Sequence, residues 1–168
     1  MKVVIAGFGT VGQGVAEVIG MRQELFQKSF GQKVTIVGVF DSSSLVKDPR
    51  GLDPEELVAR KAGTGKVGKR PLDDGAPEFI EEYDFDTLID TTPTNIVDAE
   101  PGLTYIQTAL NAGKNVVTSN KGPLALKFRD LTSTAARNKV QLRYEASVGP
   151  CPSSTSPGSF SGVSRYSR

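Results

Sequence analysis

The stretch KVVIAGFGTVGQGV at the N-terminal end leaves the chain few folds to choose from. KVVIA is a short apolar, β-branched run ended by glycine, the pattern of a buried strand. Gly7-Phe8-Gly9-Thr10-Val11-Gly12 then fits G-x-G-x-x-G, and Val11, Val15, Val18 and Ile19 follow near helical spacing. The motif is common by itself. Placed directly after a strand and opening a helix, it begins a βαβ unit built to take a dinucleotide. Gly7 allows the tight turn, Gly9 lets the backbone approach a pyrophosphate, and Gly12 lets helix and strand pack closely. The N–H groups of Thr10 and Val11 would face the phosphates from the helix N-terminus. The bland alternative is a tight strand-to-helix turn with no ligand.

The rest of the chain repeats this alternation. KVTIVGVFD, FDTLIDTTP, KNVVTSN and KVQLRYEASV read as four further strands. DPEELVARK, with Pro54 after the N-capping Asp53, PEFIEEY, PGLTYIQTALNAG and GPLALKFRDLTSTAARNK read as helices. The first helix, TVGQGVAEVIGMRQELFQKSF, is expected to fray at Gly20, and the glycine-rich, basic KAGTGKVGKRPLDDGAP to be an exposed loop. The strands are continuously apolar, as when both faces of a sheet are covered. The expected fold is α/β, a doubly wound parallel sheet of the Rossmann type.

Ligands of such sheets bind at the carboxyl ends of the strands. Asp41 ends the second strand, where a carboxylate would accept hydrogen bonds from the adenosine ribose and repel a 2′-phosphate. That favours NAD over NADP, since the nearest cations, Lys47 and Arg50, lie beyond Ser42–Ser44, although these serines could also hydrogen-bond a phosphate. The same Asp41 before three serines also fits a turn. Thr91, Thr92 and Asn95 follow the third strand, and Lys121 follows the fourth. An ammonium there would hold a ribose hydroxyl or polarise a substrate carbonyl. The alternative is an ordinary solvated lysine.

Composition narrows the setting. The net charge of +1 offers no field for nucleic acid or a membrane surface. No apolar run approaches the roughly 20 residues of a membrane span. The single Cys151 excludes an internal disulfide framework, and the lack of histidine removes the usual general base and commonest metal ligand. These features suit a soluble cytoplasmic protein.

GFGTVGQGV, IDTTPTNIVDAEPGLTYIQTALNAGKNVVTSNKGPLAL and YEASVG resemble the nucleotide-binding domain of homoserine dehydrogenases, over residues 1–149. The resemblance implies an oxidoreductase that reduces L-aspartate 4-semialdehyde to L-homoserine with NADH or NADPH, in threonine, methionine and isoleucine biosynthesis. It implies that the glycine loop (Gly7, Gly9, Thr10, Val11, Gly12) binds the dinucleotide, that Thr92 approaches the nicotinamide side, and that Lys121 contacts cofactor and substrate. Glu145 and Val148 match a segment that holds a monovalent cation in some members. Full-length members are expected to be homo-oligomers. Two other readings stay open: a stand-alone dinucleotide-binding module, and a Rossmann dehydrogenase acting on another small substrate.

The family continues past SVG with a run like A-M-P-V-I-N-L and a second, catalytic and dimerisation domain that supplies the proton-transfer residues. Residues 150–168, PCPSSTSPGSFSGVSRYSR, match none of it. With codons GGG CCA TGC CCG TCA TCA ACC TCG CCC for Gly149 to Pro157, reading from the third base gives A-M-P-V-I-N-L-A. The tail is therefore expected to be an irregular, out-of-frame extension, and the chain the cofactor-binding part alone. A natural Ser/Pro-rich disordered tail is the alternative.

Overall fold

The apolar run at the N-terminus becomes β1 (Lys2–Ala6), the centre of the molecule in the computed structural model, which describes residues 1–72 and 75–144. α1 (Thr10–Met21) and α2 (Gln23–Phe30) lead to β2 (Thr35–Phe40) and β3 (Ser44–Lys47). Then come α3 (Pro54–Thr64), β4 (Arg70–Pro71), α4 (Ala76–Glu82) and β5 (Thr87–Asp90). α5 (Gly102–Asn111), β6 (Asn115–Thr118), α6 (Lys121–Arg137) and β7 (Leu142–Arg143) complete the described chain. The strands form one sheet in the order β4-β3-β2-β1-β5-β6-β7. From β2 to β7 through β1 the pairing is parallel.

Two-residue alternation along β1 supplies both faces of the core. Val4 and Ala6 point to the layer that α4, α5 and α6 cover, with Phe40, Leu88, Ile106, Leu110 and Leu131. Val3 and Ile5 point to the layer of α1 and α3, with Ile19, Ile36, Val39 and Leu57. The chain leaves β1 toward β2 on one side and later crosses to β5 on the other. The crevice at the carboxyl end of β1 is therefore the topological switch point.

Four expectations need correction. The helix after the glycine loop breaks at Arg22 (φ −110°, ψ 17°), not at Gly20, and the Gln23 amide donates to the carbonyls of Ile19 and Val34 across the break. The SLVK segment, assigned to no element from the sequence, is β3, and with β4 it adds an antiparallel edge to the sheet. Consequently KAGTGKVGKRP is not a free loop: helix α3 runs into it, Val67 is buried, and Ser44 Oγ accepts from the Val67 N–H. Last, the sheet is not covered evenly. Beside α1, Ile89 and Val117 join Val11, Val15 and Val18 in an open apolar groove of ≈ 560 Å³. The tail expected at residues 150–168 lies outside the described residues.

Candidate functional site

The glycine turn is shaped by contacts on both sides. Gly7 takes φ +85°, and a Cβ there would lie 2.8 Å from the Thr91 carbonyl oxygen, so any side chain would push β5 away. Its N–H donates to Phe40 O (2.8 Å) and its carbonyl accepts from Thr91 Oγ1 (2.7 Å), which ties the turn to both neighbouring strands. A Cβ on Gly12 would meet the Gly7 carbonyl at 2.2 Å, the close helix–strand approach expected. Gly9 differs: a Cβ there would meet no atom within 4 Å, and its φ is −79°. Its lack of a side chain serves no packing need among the described residues. The space it leaves lies in front of the α1 N-terminus, which no side chain caps and where no acidic residue stands in the first turn. The amides of Thr10, Val11 and Gly12 begin that helix and have no carbonyl one turn back. This is an open anion cradle, and a pyrophosphate fits it.

The cleft over this loop has a volume of ≈ 280 Å³ and is lined by Gly7, Phe8, Gly9, Phe40, Asp41, Ser42, Lys61, Thr91, Thr92, Pro93, Pro101 and Tyr105. A larger cleft, ≈ 510 Å³, lies at the β3–β4 edge between Lys47, Arg70 and Phe79, away from the glycine turn. Of the residues singled out in the sequence, Gly7, Gly9, Asp41, Ser42, Thr91 and Thr92 line the cleft. Thr10, Val11 and Gly12 contribute backbone beside it. The Val11 side chain turns instead into the apolar groove.

Asp41 stands where expected, but not as a free ribose acceptor. Its Oδ1 accepts from the N–H and hydroxyl groups of both Ser43 and Ser44, at 2.8–3.1 Å, which is the turn alternative. Its Oδ2 pairs with Lys61 Nζ at 2.7 Å. Burial opposes its ionisation, but Lys61 and the serine hydrogen bonds outweigh burial and hold the carboxyl at about 2. The premise that Lys47 and Arg50 are the nearest cations also fails. Lys61, on α3, reaches the cleft itself, while Lys47 lies over the Phe79 and Tyr83 rings and Arg50 binds Asp48. No local spacing announces Lys61; only the packing of α3 brings it across.

At the β5 and β6 ends the sequence pointed to Thr92 and Lys121, and the structure adds Asp90 and Asn120. Thr92 is buried, donating to Asp90 Oδ1 at 2.6 Å and accepting from Asn120 Nδ2 at 3.0 Å. Asn120 caps α6 by accepting from the Gly122 N–H. Lys121 is the first residue of α6, exposed beyond this network, with no ion pair among the described residues. Asn95 faces Asp98 instead of the cleft. A strand-ending Asp followed by threonines is the signal from which Asp90 was open to inference. Glu145 and Val148, matched to a cation site, lie outside the described residues. No group of three or more His, Cys, Asp or Glu side chains that could hold a metal ion is found among the described residues.

A glycine turn feeding an uncapped helix start at the switch point of a doubly wound sheet defines a Rossmann dinucleotide-binding domain. Residues 7–145 match the family model described as "Homoserine dehydrogenase, NAD binding domain". The chain belongs to that family. It is 35% identical over 152 residues to a homoserine dehydrogenase of Methanocaldococcus jannaschii, covering 89% of this chain and 45% of that one. A solved homoserine dehydrogenase of Thermoplasma acidophilum superposes with a TM-score of 0.77 at 31% identity, over 88% of this chain and 44% of the other. A hyperthermophilic archaeal homoserine dehydrogenase in complex with NADPH superposes at 0.72 with 27% identity, over 88% and 44%. The chain thus spans under half the length of these relatives.

Proposed function

We propose that this chain is the cofactor-binding part of a homoserine dehydrogenase, binding NAD or NADP for the interconversion of L-homoserine and L-aspartate 4-semialdehyde. The observation that carries the reading is the cradle at Gly9, where the missing Cβ answers to no neighbour among the described residues. In this reading the amides of Thr10 and Val11 hold the pyrophosphate, and Gly7 and Gly12 let the backbone close around it. Asp41, Ser42 and Lys61 face the adenosine ribose. Asp41 is already neutralised by Lys61, so a 2′-phosphate meets an ammonium and not a bare carboxylate. Both cofactors are therefore accepted, with Lys61 the cation that favours NADPH.

On the nicotinamide side, Thr92 and the start of α6 form the wall, and Lys121 extends from that wall toward the substrate. The nicotinamide supplies the hydride chemistry when bound. The chain's own residues bind it, orient its ring and offer the Lys121 ammonium to a substrate oxygen. The pathway is threonine, methionine and isoleucine biosynthesis in the cytoplasm, and the full-length protein is a homo-oligomer. Titrating the chain with NADH and NADPH by fluorescence tests the reading, with Gly9→Val beside it. Binding of both by the unsubstituted chain is expected. Gly9→Val is expected to keep the fold, since the added side chain meets open space, and to lose both ligands. Unchanged affinity in Gly9→Val would remove the cradle role.

A further inference from the structure

Asp90 is a carboxylate with no solvent exposure, at the carboxyl end of β5, and it does not line the cleft itself. Its Oδ1 accepts from Thr92 N–H (3.1 Å) and Thr92 Oγ1 (2.6 Å). Its Oδ2 accepts from Thr118 Oγ1 (2.7 Å), at the end of β6. Thr118 Oγ1 in turn accepts from Asn120 N–H (2.9 Å), and Asn120 Nδ2 returns to Thr92 Oγ1 (3.0 Å). The hydrogen bonds close a ring through Asp90, Thr118, Asn120 and Thr92. The ring joins the loop after β5 to the first turn of α6. The space around it is filled: a Cβ on Gly102 would lie 2.5 Å from Asn120 Nδ2 and 2.9 Å from Thr92 Oγ1. Burial raises the Asp90 carboxyl above the usual range, against the pull of the two threonines. Burying a carboxylate is costly, and a core of this kind has no packing need for one.

We propose that Asp90 is a positioning residue for the nicotinamide end of the cleft, acting through Thr92 on one loop and through Thr118 and Asn120 on the next. It rests on the dinucleotide reading above. In the dinucleotide reading each loop end carries a group for that part of the cofactor: Thr92 lines the cleft, and Lys121 follows Asn120 directly. Neither group is set by its own loop alone. The carboxylate, accepting from both sides, fixes their separation before any ligand arrives, and so lowers the ordering cost of binding the ring.

The test compares NADH with ADP-ribose, which lacks only the nicotinamide, on the full chain carrying Asp90→Asn, Thr118→Val or Thr118→Ser. Asp90→Asn puts an NH2 where a hydroxyl now donates. Thr118→Val keeps the shape and removes the link. Thr118→Ser keeps the link and removes a methyl. Asp90→Asn and Thr118→Val are expected to weaken NADH about tenfold, the loss of one hydrogen bond to a charged group, with ADP-ribose changed less than about twofold. Thr118→Ser is expected to match the unsubstituted chain. Should Asp90→Asn not fold, the two Thr118 variants still decide. Equal losses for both ligands, or Val tolerated better than Ser, would make Asp90 a packing residue and overturn the proposal. If the unsubstituted chain bound neither ligand, the dinucleotide reading itself would fall, and this inference with it.

Discussion

Asp41 and Lys61 stand 20 residues apart and meet over the cleft at 2.7 Å. The charge a ligand meets there belongs to the pair. Lys61 also donates to Gly65 O, the C-cap of its own helix, so its ammonium is held in place before any phosphate arrives. Replacing it by Met is expected to cost NADPH about tenfold or more in affinity, the loss of one charge-assisted hydrogen bond, and to leave NADH nearly unchanged. Parallel titrations of the two cofactors check this, and equal losses would remove Lys61 from the ribose site. The same variant reports on acid stability. Asp41 at about 2 in the folded chain lies below the roughly 3.9 of a free aspartate. Its contribution, about 2 kcal/mol, is complete above pH ~4 and lost as pH falls through about 2. Without Lys61 that carboxyl protonates earlier, so the acid-unfolding midpoint of Lys61→Met should move to higher pH.

Elements here differ in how far the sequence alone discloses them. β1, β2, β5 and β6 are legible because each is a continuous apolar run between turn residues, and α3 because Asp53 and Pro54 mark its start; the Asp53 side chain accepts from the Glu55 and Glu56 N–H groups as that pattern requires. The glycine loop is legible because its residue types answer to backbone geometry. β3 and β4 are not, since SLVK and RP are short strands on one side of the sheet, paired antiparallel through contacts that no local pattern encodes. For the same reason Lys61 escapes notice, since Asp41 lies 20 residues away, and of the Asp90 partners only Thr92 is local while Thr118 comes from the next strand. Lys114 is a further case. It precedes β6 as an ordinary charged residue, yet it is buried, its ammonium donating to Ile80 O and Tyr83 O at 2.5 Å and lying 4.0 Å from the Phe85 ring centre. It satisfies the carbonyls at the end of α4, where a cation is favoured by the helix dipole. Burial lowers its pKa against the pull of Asp84 and Glu81. Lys114→Met is expected to leave those carbonyls unpaired and cost about 2 kcal/mol, or about 6 °C in thermal midpoint for a chain this size. NADH affinity should stay unchanged, because Lys114 lies at the amino end of β6, opposite the cleft. A loss of cofactor binding at unchanged stability would contradict this assignment.

At the scale of the molecule, the described residues are, in the proposed reading, one wall of a reaction site. In that reading the cradle, the Asp41–Lys61 pair and the Asp90 ring hold and orient a dinucleotide. Lys121, the first residue of α6, is exposed, with no ion pair among the described residues. Hydride transfer needs more: a substrate held against the ring and a group to carry the proton. The relatives matched here are about twice as long, with the matched part of this chain covering 45% of one and 44% of another. The expected outcome is that the chain binds NADH but does not oxidise homoserine. Turnover near about 10 s⁻¹, ordinary for an enzyme, would place the whole reaction on this chain and overturn the reading. The gene supplies an independent check on residues 150–168. If they are an out-of-frame extension, the DNA read from the third base of the Gly149 codon encodes a run like A-M-P-V-I-N-L. Restoring that frame should then give a longer protein that oxidises homoserine with NAD or NADP. A gene with no such run in either neighbouring frame would refute the out-of-frame account and leave the cofactor-binding reading standing.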